Sequence, residues 1–147
     1  MKKLLLALSM ILTIALSATP VYENPKIDPK VISAFQKEFS FAKNASWETS
    51  DGISQVRFSI NDQSFIAWYN EDAELVRTAR NILYMQLPLS VIKVLEEKFA
   101  DADISEITEV TKETITTYYV QAEDKNKKYF LEVSPSGNIT IIKRIKK

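Results

Sequence analysis

Carboxylates and tyrosines are the side chains left to consider for chemistry in this sequence, because it contains neither histidine nor cysteine. Asn70, Asp72 and Glu74 alternate in the way that the first ligands of a calcium-binding loop do. The sixth position of such a loop requires glycine and the twelfth requires glutamate, but Leu75 and Asn81 stand there. The sequence therefore predicts a solvated turn at this point and no metal site.

The other carboxylates give no stronger signal for catalysis. The acidic stretch 101–109 follows a predicted helix, and a solvated connector is a better interpretation of it than a loose cation site. Two carboxylates can cleave glycosides only at a fixed separation, and nothing in the sequence brings two together in a cleft. A Ser-His-Asp triad, a thiol nucleophile and an ordinary zinc site are excluded by composition. We therefore predict no enzyme, no catalytic residue and no cofactor.

Aromatic side chains offer a different chemistry, that of binding. Strand alternation sends adjacent aromatic residues to opposite faces of a sheet, one beneath helices and one open. Large aromatics with arginine on an open face have the composition of a protein-binding surface. Packing in the core or between neighbouring strands is the alternative explanation. The adjacent pairs are Trp68-Tyr69, Tyr118-Tyr119 and Tyr129-Phe130, and the predicted binding residues are Arg57, Trp68, Tyr119 and Phe130.

A helix that covers one face of this sheet begins with a clear capping signal. Asp28 is a favoured N-cap, and Pro29 is a favoured first helical residue. Val31, Phe35 and Phe39 recur every four residues and form one apolar stripe. The pattern predicts an amphipathic helix that ends just after this stripe, near residue 40.

After this helix the apolar period changes from about 3.6 residues to about 2, which predicts β-hairpins. Turn residues are predicted at 51–52, as Asp-Gly, and at 61–62, as Asn-Asp. The strand between these turns places Val56, Phe58 and Ile60 on its inner side, so that Gln55 and Arg57 face outward.

The same order of elements occurs twice along the chain. Pro88 opens a second helix, and Val91, Leu95 and Phe99 repeat the first apolar stripe 60 residues later. We predict an α+β fold with a single domain over 28–147, in which two half-repeats, about 28–84 and 87–145, form a continuous curved antiparallel sheet with both helices packed on one face. A chance likeness between the two helices is the alternative.

The N-terminus indicates export. Lys2 and Lys3 precede a short apolar run and small residues, which predicts a cleaved signal peptide over 1–18, followed by an extended leader over 19–27. The apolar run is shorter than the roughly 20 residues of a membrane span, and no cysteine is available for lipid attachment. We expect a periplasmic or secreted protein without a stable membrane anchor. Without those two lysines the chain carries 17 basic and 19 acidic residues, which argues against nucleic acid as a partner.

Twelve residues in fixed order carry a resemblance to a known family. They are Pro29, Val31, Phe35, Phe39, Ala42, Trp47, Trp68, Tyr69, Leu87, Pro88, Val91 and Phe99. Their order and spacing resemble the PepSY-like family of exported bacterial proteins, which is related in shape to the β-lactamase-inhibitor protein. The resemblance implies an antiparallel sheet with both helices on one side, and binding or inhibition in place of catalysis.

One position departs from the family pattern. Ala73 stands in the first-half turn where the pattern has glycine, whereas Gly137 occupies the matching position in the second half. If the backbone has a positive φ at this position, alanine costs on the order of 1 kcal/mol there.

Three classes of function remain open on this sequence. The first is an exported, non-enzymatic binding module that recognises or inhibits a protein or peptide of the cell envelope through the open face of its sheet. The second is a small-ligand carrier, or an enzyme using carboxylate and tyrosine groups, with a pocket of a few hundred Å³ between helix and sheet. The third is a purely structural envelope protein. We favour the first, and the sequence does not identify the partner.

Overall fold

A computed structural model describes residues 26–147 of the protein. They form one antiparallel sheet of eight strands in sequential order, β1 to β8, with two α-helices. Each helix precedes four strands, so the fold is α+β. In chain order the elements are α1 (Pro29–Glu38), β1 (Lys43–Ser50), β2 (Ile53–Ile60), β3 (Gln63–Tyr69), β4 (Leu75–Ile82), α2 (Leu89–Lys98), β5 (Asp103–Lys112), β6 (Ile115–Glu123), β7 (Lys127–Val133) and β8 (Ile139–Lys146).

The first helix begins where its capping signal predicts. The Asp28 carboxylate accepts a hydrogen bond from the backbone N–H of Lys30 at 2.9 Å, and Pro29 is the first helical residue. The helix ends at Glu38, within two residues of the predicted end. Phe39 is its C-cap and donates its backbone N–H to the carbonyl of Phe35 at 2.8 Å.

The second helix begins one residue later than predicted. Pro88 is not inside α2 but is its N-cap, with an extended backbone (φ −57°, ψ 145°) and Leu89 as the first helical residue. A short 3₁₀ helix, Tyr84–Gln86, precedes it and was not predicted. The Gln86 side chain closes this turn by accepting the backbone N–H of Leu83 at 2.7 Å. A single turn of three residues carries no apolar period by which a sequence would reveal it.

Both predicted two-residue turns are confirmed. Asp51 and Gly52 have φ of 50° and 74°, and Asn61 and Asp62 have φ of 49° and 63°. Two successive positive φ values match the twist of the strands that such turns connect. Asparagine, aspartate and glycine occupy them because they tolerate this backbone region best.

Both helices cover the same face of the sheet. Val56 and Ala67, which lie beneath α1, are cross-strand partners, and Ala67 is in turn the partner of Thr78. Directly paired residues share a face, and so do alternate residues along a strand. Ile82, four residues beyond Thr78 on β4, therefore points to the same side, and it belongs to the core beneath α2.

The core consists of two apolar clusters, one under each helix, and the predicted stripes supply the helical part of both. Val31 and Phe35 of α1 are buried, as are Val91 and Leu95 of α2. Phe39 and Phe99 are partly buried and pack against the same clusters. The strands complete the buried clusters with Val56, Phe58, Ala67 and Tyr69 under α1, and with Ile82, Ile107, Tyr118, Val120, Ala122, Leu131 and Val133 under α2.

A polar pair lies between the two clusters, on the helix-covered face at the join of β4 and β5. Arg80 Nε is 2.7 Å from Glu109 Oε1, and the two side chains are only partly exposed. The residues occupy directly paired positions of the two strands. The centre of the sheet is thus joined across the two halves by an ion pair.

A double-mutant cycle on Arg80→Met and Glu109→Gln should give a coupling energy of about 1 kcal/mol, because the pair is short and partly shielded from water. Urea unfolding of the four proteins measures it. The more exposed pair of Lys147 and Glu123, at 2.6 Å, is the comparison and should couple more weakly. Equal coupling in the two pairs would show that position in the sheet contributes nothing.

The turn that contains Ala73 adopts the strained backbone. Ala73 has φ of 62°, and its N–H donates to the carbonyl of Asn70 at 3.1 Å. In the second half Gly137 has φ of 90° and donates to the carbonyl of Ser134 at 2.9 Å. The two turns therefore share a hydrogen-bond pattern, and the first keeps it with a residue that disfavours this region.

Ala73→Gly is expected to raise the free energy of unfolding by about 1 kcal/mol, because glycine adopts a positive φ without steric cost. The gain is reduced by the greater freedom of glycine in the unfolded chain. Urea denaturation followed by tryptophan fluorescence measures the change. A loss of stability would mean that the methyl group of Ala73, which packs against the cluster under α1, matters more than the strain.

The predicted signal peptide lies outside the described residues, as does most of the predicted leader. Within residues 26–147, no helix combines the length and apolar character that crossing a membrane requires. Ile27, at the end of the predicted leader, packs against the cluster under α1.

Candidate binding face

The face of the sheet opposite the helices carries Arg57 and Trp68. Gln55 is the cross-strand partner of Trp68, and Arg57 lies two residues further along β2. Both β2 residues alternate with Val56, which faces the helices, so both point to the other side. We refer to this uncovered side of the sheet as the open face.

The same face continues across the middle of the sheet to Tyr119. Arg77 is the partner of Trp68, and Asn81 lies on the same side of β4 four residues later. Asn81 pairs with Thr108, and Thr108 pairs with Tyr119. A single register therefore places Trp68 on β3 and Tyr119 on β6 on one surface.

Phe130 completes the set of four predicted residues on this face. Tyr119 pairs with Glu132, and Phe130 lies two residues before Glu132 on β7. The neighbouring aromatic residues face the helices instead and contribute to the core or its edge; they are Tyr69, Tyr118 and Tyr129. The structure thus places all four predicted residues on the open face, and their role in binding stays a prediction.

Arg77 connects two of the predicted residues and was missed by the sequence reasoning. Its guanidinium carbon lies 4.2 Å from the centroid of the Trp68 ring, a geometry that favours a cation–π interaction. Its positive charge also acts on the hydroxyl of Tyr119. Counting residues across the turn after β3 would have paired Trp68 with Val76 instead, because an irregularity between Trp68 and Tyr69 shifts the pairing by one residue and makes Arg77 the partner of Trp68.

The hydroxyl of Tyr119 lies in a mixed electrostatic environment. Partial burial raises its pKa, the Glu132 carboxylate raises it further, and the charge of Arg77 opposes both. The residue is 39 % exposed, so this large amphipathic side chain is partly accessible to solvent. Side chains of this kind are enriched at the centres of protein interfaces.

Arg57 and Phe130 lie on either side of this central group. Arg57 lines an open depression of about 400 Å³ together with Ile66, Ala79, Asn81 and Thr108. Phe130 has the Lys128 ammonium 5.5 Å from its ring centroid. The four predicted residues therefore form a wide strip across the sheet and not a compact site.

The open face carries charges of both signs, since strand pairing places Glu48, Glu123 and Glu132 on it together with several arginines and lysines. Among residues 26–147 its cations form no ion pair within 4 Å of a carboxylate; they are Arg57, Arg77, Lys112, Lys128 and Lys143. Glu132 is the carboxylate that adjoins the central tyrosine. Among the described residues, these charged hydrogen-bond donors therefore have no ion-pair partner.

The segment that resembles a calcium loop is a closed polar turn. The Asn70 side-chain oxygen accepts the backbone N–H groups of Asp72 at 3.0 Å and Glu74 at 2.9 Å, and its amide donates to the Glu74 carboxylate at 2.8 Å. These groups hold the turn itself. Within residues 26–147 there is no cluster of three or more acidic side chains placed to hold a metal ion.

No protein-family model matches this sequence, and no curated protein sequence matches it. Solved structures from Bacteroides do match the fold. A DUF2874 family protein of Bacteroides uniformis has a TM-score of 0.71 at 17 % identity, over 82 % of this chain and 89 % of that one. A candidate periplasmic protein of Bacteroides eggerthii has a TM-score of 0.70 at 19 % identity, over 81 % and 88 %.

A third solved structure is described as that of a BLIP-like protein from Bacteroides fragilis. Its TM-score is 0.69 at 16 % identity, over 81 % of this chain and 85 % of that one. At such identities the likeness establishes the fold alone. The fold of this chain is therefore BLIP-like, in agreement with the shape that the sequence resemblance implies.

Proposed function

We propose that the protein is an exported, non-enzymatic binding module that recognises another protein or a peptide of the cell envelope through the open face of its sheet. The observation that carries this proposal is the single strand register that lines up arginine and aromatic side chains on a face that neither helix covers. The candidate periplasmic neighbour and the BLIP-like neighbour support the same class of function. The signal peptide that the sequence predicts over residues 1–18 supports the location.

The proposal includes a duplication of a half-domain of the PepSY-like kind. Local hydrogen bonds support it: the backbone N–H of Ala42 donates to the carbonyl of Phe39 at 3.0 Å, and Ala102 donates to Phe99 at the same distance. In each half of the chain, one helix precedes four strands. A duplication explains why one sheet carries two matching helices on one side, since each half alone has too small a core to be stable.

Affinity capture from an envelope extract tests the proposed binding. Immobilised protein should retain a specific partner, and Arg57→Ala, Trp68→Ala or Tyr119→Ala should each reduce its recovery by tenfold or more, because a few large aromatic and arginine side chains carry most of the binding energy of an interface. Phe41→Ala is the matched control, because Phe41 is an 80 % exposed aromatic that lies outside the sheet. Recovery that is equally high in all three open-face variants would contradict the proposal.

One observation favours the alternative, a carrier or pocket enzyme. A depression of about 380 Å³ beside the C-terminal half of α2 is lined by Tyr84 and Glu96 together with Leu95, Phe99 and Ile104. Partial burial and the nearby Glu96 carboxylate raise the pKa of the Tyr84 hydroxyl. A fragment screen by NMR distinguishes the two functions, because ligands of a carrier would shift the signals of Tyr84 and Glu96 and not those of Trp68.

A further inference from the structure

A groove at the end of the β5–β6 hairpin lies on the open face but contains only one of the predicted residues. We call it the hairpin groove, and it is lined by Arg77, Val110, Lys112, Ile115, Thr117 and Tyr119, with Glu113 at the turn. Its volume is about 400 Å³. Its walls come from three neighbouring strands, β4, β5 and β6.

Two cations stand next to each other at this groove. Thr78 pairs with Thr111, so the residues that continue this register, Arg77 and Lys112, are neighbours across the two strands. Like charges in such positions repel each other. Among the described residues, neither cation has a carboxylate within 4 Å that would offset this repulsion. An anion that entered between them would remove the repulsion and gain two charged donors.

The floor of the groove is apolar. Val110 and Ile115 lie beside the cations, and Ile115 is 68 % exposed although it is a large aliphatic residue. The ring of Tyr119 closes the far side of the groove. An occupant that suits the site therefore has a negative group with an aliphatic group next to it.

Two carboxylates limit the charge that the groove can accept. Glu113 belongs to the turn at its rim, and Glu132 acts on the hydroxyl of Tyr119. These negative charges oppose a phosphate or another multiply charged anion. With these two carboxylates nearby, the two cations are better suited to an anion with one negative charge, and a single carboxylate is such an anion.

We infer that the hairpin groove receives an aspartate or glutamate side chain of the partner protein, flanked by an aliphatic residue in an extended segment. This inference rests on the proposed function and gives the partner a chemical character. A protein segment fits better than a free small acid, because the groove opens onto the wider face that carries Trp68 and would leave a small acid largely in water.

NMR titration with a capped peptide tests the inference. The probe is acetyl-Ser-Val-Glu-Val-Ser-amide, and the matched probe has glutamine in place of glutamate. The glutamate peptide should shift the backbone signals of Arg77, Lys112 and Thr117 and bind about tenfold more tightly than the glutamine peptide, since charged hydrogen bonds are stronger. Arg77→Gln and Lys112→Gln should each weaken binding about tenfold, whereas Lys93→Gln, an exposed lysine on α2, should leave it unchanged.

Three results would overturn the inference. Equal binding of the two peptides excludes a role for the carboxylate, and unchanged binding in both groove variants excludes the two cations. Sodium acetate that binds as tightly as the peptide excludes a partner segment in favour of a free acid. If a captured partner depends on Arg57 and Trp68 while the peptides show no preference, the open-face proposal stands and the groove inference fails. If the peptide preference holds but no partner is captured, the groove binds a carboxylate, whereas the open-face proposal fails and with it the assignment of that carboxylate to a partner protein.

Discussion

Replacing Gly137 by alanine is expected to lower the free energy of unfolding by about 3 kcal/mol. Gly137 has φ of 90°, and an L-residue in the left-handed region costs roughly 1–2 kcal/mol. A Cβ added there would also stand 2.9 Å from the backbone oxygen of Ser90 in α2, and such overpacking typically costs about 1–3 kcal/mol. Neither obstacle is easily removed, because the turn is also joined to α2 by the Ser90 hydroxyl, which donates to the carbonyl of Pro135.

Gly52→Ala is the matched control for this prediction. Gly52 also has a positive φ, of 74°, but an added Cβ would meet only the flexible end of the Glu71 side chain. The control should therefore lose only the backbone part, about 1 kcal/mol. Urea unfolding of both variants under the same conditions measures the difference. If Gly137→Ala costs no more than Gly52→Ala, the contact between the second turn and α2 contributes nothing to stability.

The parts of the fold that the sequence predicts well are those with local chemical causes. Asp28 and Pro29 set the start of α1 because one accepts a backbone N–H and the other lacks a donor that the helix would leave unpaired. The turns at 51–52 and 61–62 follow from residues that tolerate positive φ. These signals act within four residues, so a single sequence contains all the information that they need.

The parts that escaped prediction depend on where one strand meets another. Arg77 lies over Trp68 because the turn after β3 and an irregularity between Trp68 and Tyr69 set the register of β4. A register shift of one residue would send Arg77 to the helix-covered face. The relative positions of Trp68, Tyr119 and Phe130 likewise depend on the registers of all the strand pairs from β3 to β7. The sequence predicts these side chains as candidate binding residues, but only the pairing of the strands shows which of them are neighbours.

The second large effect is expected at high pH and comes from Tyr69. This residue is only 1 % exposed, and among residues 26–147 its hydroxyl has no hydrogen-bond partner. Burial, assisted by the negative charge of Glu38, raises its pKa from 10.0 to about 12. Between these pH values the folded protein keeps a proton that the unfolded chain has lost. Raising the pH therefore favours unfolding, and this single group should remove about 2 kcal/mol of stability by pH 12.

Tyr69→Phe should abolish this part of the alkaline loss and also raise stability at neutral pH by about 1 kcal/mol, because it deletes a buried polar group that lacks a partner. Urea unfolding at a series of pH values measures both effects as the difference between variant and wild type. Other tyrosines with raised pKa values cancel in this difference, since both proteins contain them. Tyr119→Phe is the control and should give a smaller change, because Tyr119 is 39 % exposed and Tyr69 only 1 %. A variant that loses stability at neutral pH would show that the Tyr69 hydroxyl makes a favourable interaction in the folded protein.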